Sequence, residues 1–339
     1  MNVVAVDDNS VNLMLLTSIA KTMGVEVKGF LCPAEALEYA NGQACVDILL
    51  ADYMMPKMNG IELITEMRQK HPDLVSIMIT AAGEADATLK TDALKAGATD
   101  FLTKPLEVIE FKLRLQNQIE LRKAKKAVDQ NLEQREFETL NVLSTLAEFK
   151  DPETGSHINR VAHYSRLIGE QYGLGKGECN ILFHASPLHD MGKVGIRDGV
   201  LLKQGKLTDK EFEEMKGHAL IGYNILKNAK NPYLQAGAQI CLSHHEKYNG
   251  KGYPNGLSGD DIPLYGRITA IADVFDALTS VRPYKRAWTF DEAMAYIETE
   301  KGQHFDPVLA QIFIDHRSEV ERIYNTFQEV IEEPNVEQF

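Results

Sequence analysis

The sequence predicts a multidomain chain: an α/β doubly wound parallel sheet of five strands, a long helix, and a second domain that is all α-helical. Three observations carry this. Up to residue 117, short apolar runs alternate with stretches of helical periodicity, the pattern of a parallel sheet covered by helices on both faces. Between Pro105 and Pro152 there is neither proline nor glycine, and the stretch is rich in the helix formers Leu, Glu, Lys, Arg and Gln. From residue 149 to 327 the periodicity is helical with few β-branched runs, the glycine-rich loop 249–259 excepted. A length of 339 residues suits two or three domains of about 150 residues each.

The five apolar runs are 3–6, 25–27, 48–51, 77–79 and 101–102. Leu13, Leu16 and Ile19, then Ile61, Ile64 and Met67, mark helices between them. Right-handed crossovers turn this order into a doubly wound sheet whose site lies at the carboxyl ends of the strands. Along 107–148, Leu121, Ala124, Val128 and Leu132 form an apolar stripe at helical spacing. This helix either packs on its own protein or pairs in a parallel dimer coiled coil, with Asn131 and Arg135 interrupting the seam. The segment 328–339 carries four glutamates and no basic residue, which reads as a solvated tail. The expected divisions are 1–118, a connecting helix 107–148 partly shared with it, 149–327, and 328–339.

The net charge of −13, from 36 basic and 49 acidic side chains, argues against a protein that coats nucleic acid or an anionic membrane. A small anionic ligand stays open, since one local basic cluster is enough for it. The cysteines Cys32, Cys45, Cys179 and Cys241 form no C-x-x-C pair and read as free thiols of a reducing compartment. There is no apolar run of about 18 residues. Nor does a basic region with a cleavage site precede the first apolar run. The expected location is the cytoplasm.

Acidic residues follow the strands of the first domain. Asp7 and Asp8 follow the first run and Asp52 the third; Thr80 follows the fourth and Lys104-Pro105 the fifth. In a doubly wound sheet these points converge. Three carboxylates in one pocket repel one another and call for a cation, and oxygen-only ligation suits Mg²⁺. Lys104 and the Thr80 hydroxyl could then hold a phosphoryl group placed on an aspartate. The competing interpretation, that these residues only cap helices, accounts for each singly but not for all together. The pattern resembles the receiver domain of two-component response regulators over residues 1 to about 118. The resemblance implies Asp52 as phospho-acceptor and Asp7, Asp8 and Asp52 as the Mg²⁺ ligands. It also implies Thr80 and Lys104 as phosphoryl contacts, Phe101 as the aromatic switch residue, a cis peptide before Pro105, and a cognate sensor histidine kinase.

The second domain sets histidine beside acid or histidine: His189-Asp190, His244-His245-Glu246, a separate His218, Asp273, and Glu153 with His157 four residues on. Imidazole and carboxylate without thiolate suit iron, manganese, zinc, nickel or cobalt. Five histidines and three carboxylates suffice for two or three bridged ions, which would lower the pKa of a bound water and stabilise an in-line phosphoryl displacement. A lone His or Asp here would be structural; the joint pattern is hard to explain that way.

The residues from Glu153 to about Pro307 resemble the HD-GYP branch of the HD phosphohydrolases. The match includes H-D-x-G-K at 189–193, H-H-E at 244–246, G-Y-P at 252–254, and the stretches 273–280 and 282–285. The resemblance implies hydrolysis of cyclic di-GMP to pGpG, and on to GMP, by a metal-activated hydroxide, under control of phosphorylation at Asp52. Carried over by position, His189, Asp190, His218, His244, His245 and Asp273 are the core ligands, Asp190 bridging, with Glu153 and His157 as further ones. Iron or manganese come first, with nickel, cobalt or zinc also fitting. Lys193 would sit by the scissile phosphate, Arg282 and Lys285 would pair with phosphate oxygens, and Tyr253 would stack on guanine. Asn249 departs from the Asp common at its position. His163, His184, His304 and His316 match no ligand position, and Asp276 would support a neighbour by a hydrogen bond.

Two other functions stay open. The second domain could sense the dinucleotide, or dock a diguanylate cyclase through the Gly252-Tyr253-Pro254 loop, with little turnover. It could instead hydrolyse another cyclic dinucleotide.

Overall fold

The structure, a computed structural model, describes residues 1–81, 87–148, 155–280 and 286–327. It divides into two compact units, Met1–Glu133 and Gln134–Phe339.

The first unit alternates strand and helix: β1 (Val3–Val6), α1 (Ser10–Thr22), β2 (Val27–Phe30), α2 (Pro33–Asn41), β3 (Ile48–Asp52), α3 (Gly60–Lys70), β4 (Val75–Ala81), α4 (Ala87–Ala96), β5 (Asp100–Lys104) and α5 (Val108–Glu148). The five strands are all parallel in the order β2-β1-β3-β4-β5. The order reverses between β1 and β3, which places a crevice at their carboxyl ends. Successive side chains of a strand face opposite layers. Accordingly Val4, Val6, Leu49, Ala51 and Met78 pack with Leu63, Ile64 and Met67 of α3. Val3, Ala5, Leu50, Ile77 and Ile79 pack with Leu16 of α1 and Phe111, Leu115 and Ile119 of α5. Helix starts are set by their caps: the Asn9 side chain accepts from Val11 and Asn12 N–H, and Asn59 with Glu62 forms a capping box.

β2 begins later than the apolar run 25–27 suggests. Gly24 takes φ +73° and Val25 donates its N–H to Ala20 at 3.1 Å, so Val25 completes the C-terminal cap of α1. The stripe on α5 is also not the packed face. Leu121, Val128 and Leu132 are 63, 58 and 59% exposed, whereas Phe111, Leu115, Ile119 and Arg122 are buried.

The second unit holds the rest of α5, then α6 (Gly155–Tyr172), α7 (Lys176–Ala185), 3₁₀ turns at Ser186–Leu188 and Met191–Gly195, α8 (Asp198–Leu201), α9 (Asp209–Leu226), α10 (Pro232–Ser243), α11 (Leu264–Thr279), α12 (Phe290–Thr299), α13 (Pro307–Asp315) and α14 (Arg317–Thr326). Its core is centred on Tyr164, Phe275, Phe305 and Phe313, with Tyr164 and Phe275 edge-to-face at 5.4 Å. The loop 249–259 carries a short antiparallel bridge, Asn249 to Ser258. Among the described residues, no helix is long and apolar enough to cross a membrane.

Candidate functional site

In the first unit, Asp7, Asp8 and Asp52 bring carboxylate oxygens within 4.8 Å of one another. Lys104 Nζ lies 3.0 Å from Asp7 Oδ2 and 2.7 Å from Asp52 Oδ1. Thr80 lies buried on β4, one register step from the pairing of Ala81 with Lys104. Burial raises the Asp52 pKa, Asp7 and Asp8 push the same way, and Lys104 opposes. Burial works against the Lys104 charge, but Asp52 and Asp7 outweigh it and raise its pKa. The pocket thus stores more negative charge than one lysine balances, which suits a hard divalent cation. The Lys104–Pro105 peptide is cis.

In the second unit, two donor sets meet. Asp190, His218, His244 and His245 form one, and His157, His189 and Asp273 the other. Asp190 faces both: Oδ1 lies 3.3 Å from His218 Nε2 and 3.7 Å from His244 Nε2, and Oδ2 lies 3.2 Å from His189 Nε2. His189 Nε2 is in turn 3.6 Å from Asp273 Oδ1, and Lys193 Nζ is 2.7 Å from Asp190 Oδ2.

Local structure aims these groups. His189 and Asp190 sit between the two 3₁₀ turns, fixed by Leu188 and Met191, both buried. A Cβ on Gly192 would come within 1.9 Å of the His218 carbonyl, so only glycine lets that turn press against α9. His218 rides on α9, started by a Thr208–Glu211 capping box; His244 ends α10, started by Asn231 and Pro232. Asp273 and Asp276 share one face of α11, and His157 and Arg160 share one face of α6.

The rings are held from behind. Nδ1 of His189 pairs with Ser186 O at 2.9 Å, of His218 with Met215 O at 2.7 Å, and of His244 with Ile240 O at 3.0 Å. Nδ1 of His157 pairs with Asp276 Oδ2 at 2.7 Å. A carbonyl can only accept, so Nδ1 carries the proton and Nε2 keeps its lone pair. Nε2 of His189, His218 and His244, with Asp190 Oδ1, are buried without a hydrogen-bond partner of adequate geometry. Polar atoms orphaned in this way are costly. Those of His218, His244 and Asp190 lie in one donor set and that of His189 in the other, and both sets match the donors of a metal centre.

The electrostatics agree. Burial disfavours charge on His189, but Asp190 and Asp273 outweigh it and raise its pKa well above the usual value. Burial would raise Asp190 and Asp273, yet Lys193 and His189 hold Asp190 well below the carboxylate range, and His189 and His157 do the same for Asp273. The carboxylates attract a positive charge that a bound cation would supply in place of the proton. Burial holds His218 at about 4 and His245, next to His244 and His218, well below its usual value, so both stay neutral, the form in which imidazole can hold a metal.

Tyr253 stands beside this centre, its ring 4.7 Å from that of His245 and 6.5 Å from that of His218. Asp276 supports His157 as expected, and Arg160 backs it, Nε to Oδ1 at 2.5 Å. His163 stacks on Phe327 and His184 on Phe137, while His304 stacks on Phe305 and His316 pairs with Ile312 O. Glu153, Arg282, Lys285 and the segment 328–339 lie outside the described residues. One contributor, Arg160, was missed in the sequence, and Glu246, present there as the last residue of the H-H-E motif, was given no role although its side chain is buried.

Comparison with known proteins agrees with both halves. The response regulator receiver domain family matches residues 3–116 and the HD domain family residues 141–309. The chain is 41% identical to the cyclic di-GMP phosphodiesterase response regulator RpfG of Xanthomonas campestris pv. campestris, over 99% of this chain and 93% of that one. It is 36% identical to a cyclic di-GMP phosphodiesterase of Thermotoga maritima, over 96% and 92%. It is 45% identical to the 3'3'-cGAMP-specific phosphodiesterase 2 of Vibrio cholerae, over 52% of this chain and 34% of that one. An HD domain implies divalent-metal binding, and the donor sets above suit it.

Proposed function

The chain belongs to the cyclic di-GMP phosphodiesterase response regulators, and from that premise we propose that it hydrolyses cyclic di-GMP to pGpG, and on to GMP, under control of phosphorylation at Asp52. The observation that carries the reading is the pair of abutting donor sets with Asp190 facing both. Asp190, His218, His244 and His245 would hold one divalent ion, and His157, His189 and Asp273 a second, with Glu153 as a further ligand. Iron or manganese fits this nitrogen and oxygen set best. Ions bound there lower the pKa of a water and offset the charge of an in-line displacement at phosphorus. The chain's own part is placement. Asp276 and three backbone carbonyls fix the tautomers. Lys193, held by Asp190, sets a positive charge beside the phosphate, and Tyr253 offers an aromatic face to guanine. Arg282 and Lys285 would pair with the phosphate oxygens.

In the first unit Asp7 and Asp8 with Asp52 would hold Mg²⁺, Asp52 would take the phosphoryl group from a sensor kinase, and Thr80 and Lys104 would contact it. We set the domain limits at 1–118 and 149–327, with 107–148 as the connecting helix. The C-terminal half of that helix supports a coupling role. Leu140 and Ala147 pack with Leu188 and Met191, which flank His189 and Asp190, and Glu136 accepts a hydrogen bond from Asn231, the cap of α10. A change in this helix therefore bears on both ligand-bearing segments. The exposed stripe Leu121, Val128 and Leu132 is the surface we assign to a second copy of the chain.

The similarity to the 3'3'-cGAMP-specific enzyme favours one second reading, a hybrid cyclic dinucleotide as substrate. Protein purified anaerobically, with its metal content measured, separates the two. Chromatography should show faster turnover of cyclic di-GMP than of 3'3'-cGAMP; the reverse order would select the second reading. A phosphoryl donor should change the rate of wild type but not of Asp52→Ala.

A further inference from the structure

We infer that Glu246 is a positioning residue that fixes the loop presenting Tyr253. The inference rests on the hydrolase reading and adds a residue to it. Glu246 is 2% exposed, and both of its carboxylate oxygens accept from the loop's backbone: Oε1 from Asn255 N–H at 2.7 Å and Oε2 from Leu257 N–H at 3.0 Å. The loop closes around it. Tyr253 N–H donates to His245 O at 3.2 Å, and Gly259 N–H donates to Tyr248 O at 2.9 Å. A Cβ on Gly252 would lie 2.4 Å from the Glu246 Cα and 2.2 Å from the Lys247 N, so the chain passes directly over Glu246 at the residue before Tyr253. One buried carboxylate thus ties His244 and His245, its immediate predecessors, to the segment that carries the aromatic ring.

Each N–H is satisfied by its own side-chain oxygen of Glu246, so the two hydrogen bonds together fix both ends of the segment 255–257. A glutamine in its place offers one oxygen and an NH₂ group, so one loop N–H faces a donor. The loop then loses its single resting place, and Tyr253 no longer waits at a fixed distance from the metal-ligand histidines. A misplaced positioning group costs substrate binding more than the chemical step when the reacting atoms are held by other residues.

The test is the steady-state kinetics of Glu246→Gln and the milder Glu246→Asp on cyclic di-GMP, in metal-loaded full-length protein, with metal content and melting temperature as controls. Expected is a KM raised about tenfold in Glu246→Gln and less in Glu246→Asp, with kcat changed by less than about threefold and metal content retained. In a Tyr253→Ala background, Glu246→Gln should add little, because the tyrosine it positions is gone. An unchanged KM, a fall in kcat together with metal, or full additivity with Tyr253→Ala overturns the assignment while leaving the hydrolase reading in place. Wild-type protein inactive at every metal loading overturns the reading, and this inference with it.

Discussion

Replacing Asp276 by asparagine tests how His157, a proposed metal ligand, is held. The Asp276 carboxylate is fully buried and takes four contacts: His157 Nδ1 at 2.7 Å and Ser280 Oγ at 3.2 Å on Oδ2, and Arg160 Nε at 2.5 Å and Nη2 at 2.9 Å. Burial would raise its pKa, but His157 and Arg160 hold it below the usual carboxylate range, so the group is charged in the folded protein. Asparagine keeps the shape but puts an NH₂ group against a donor and leaves the buried Arg160 guanidinium without its counter-charge. Breaking a buried pair in this way costs about 3–5 kcal/mol of stability. Loss of an outer partner of a ligating histidine costs about 10–100-fold in metal affinity. Urea unfolding reads the first quantity and competition with a chromophoric chelator the second. A double change, Asp276→Leu with Arg160→Met, separates them. Stability should return because neither charge of the Asp276–Arg160 pair is left unmatched, while metal affinity stays low because Asp276 no longer holds the His157 Nδ1–H. Wild-type metal affinity in both variants would refute the argument that Asp276 orients a ligand.

Three further outcomes are expected. Asp47 is buried, which would raise its pKa, but Lys126 at 2.6 Å and the Asn2 N–H at 2.8 Å hold it at about 2. A lowered pKa means its stabilisation is present above about pH 4 and is lost as the pH falls toward 2. Asp47→Asn should therefore cost about 1–2 kcal/mol at pH 7, Lys126 being partly exposed and screened, and flatten the acid limb of urea midpoints between pH 4 and 2. Leu140→Ala, which opens a cavity under Leu188 and Met191, should cost about 2–5 kcal/mol and bring the ratio of turnover with and without a phosphoryl donor toward one. An unchanged ratio would remove the helix from the coupling route. Removal of metal by chelation should abolish turnover, and manganese or ferrous iron should restore it; full activity in the chelated protein would exclude the donor sets from the reaction.

The pocket of the first unit was legible because topology does most of the work. Once strands alternate with helices, Asp7, Asp52, Thr80 and Lys104 have to converge, wherever the helix ends fall. The start of β2 was not legible, since Val25 looks like a strand residue and is used as a helix cap. On α5 the stripe chosen by spacing is real, but spacing cannot tell which of two faces a helix buries. In the second unit the ligand types stand in the sequence, while their aim does not. The carbonyls of Ser186, Met215 and Ile240 that set the tautomers are backbone atoms and leave no mark in residue identity. Arg160 and Asp276 are 116 positions apart, and only the packing of α6 on α11 brings them together.

The most direct measurement is turnover of cyclic di-GMP against metal equivalents added to chelated protein under anaerobic conditions. With Asp190 facing two donor sets, product should stay near zero up to the first equivalent per chain and rise steeply between the first and second, with pGpG appearing before GMP. Full turnover at one equivalent, or none at any loading with any of the metals, would contradict the account.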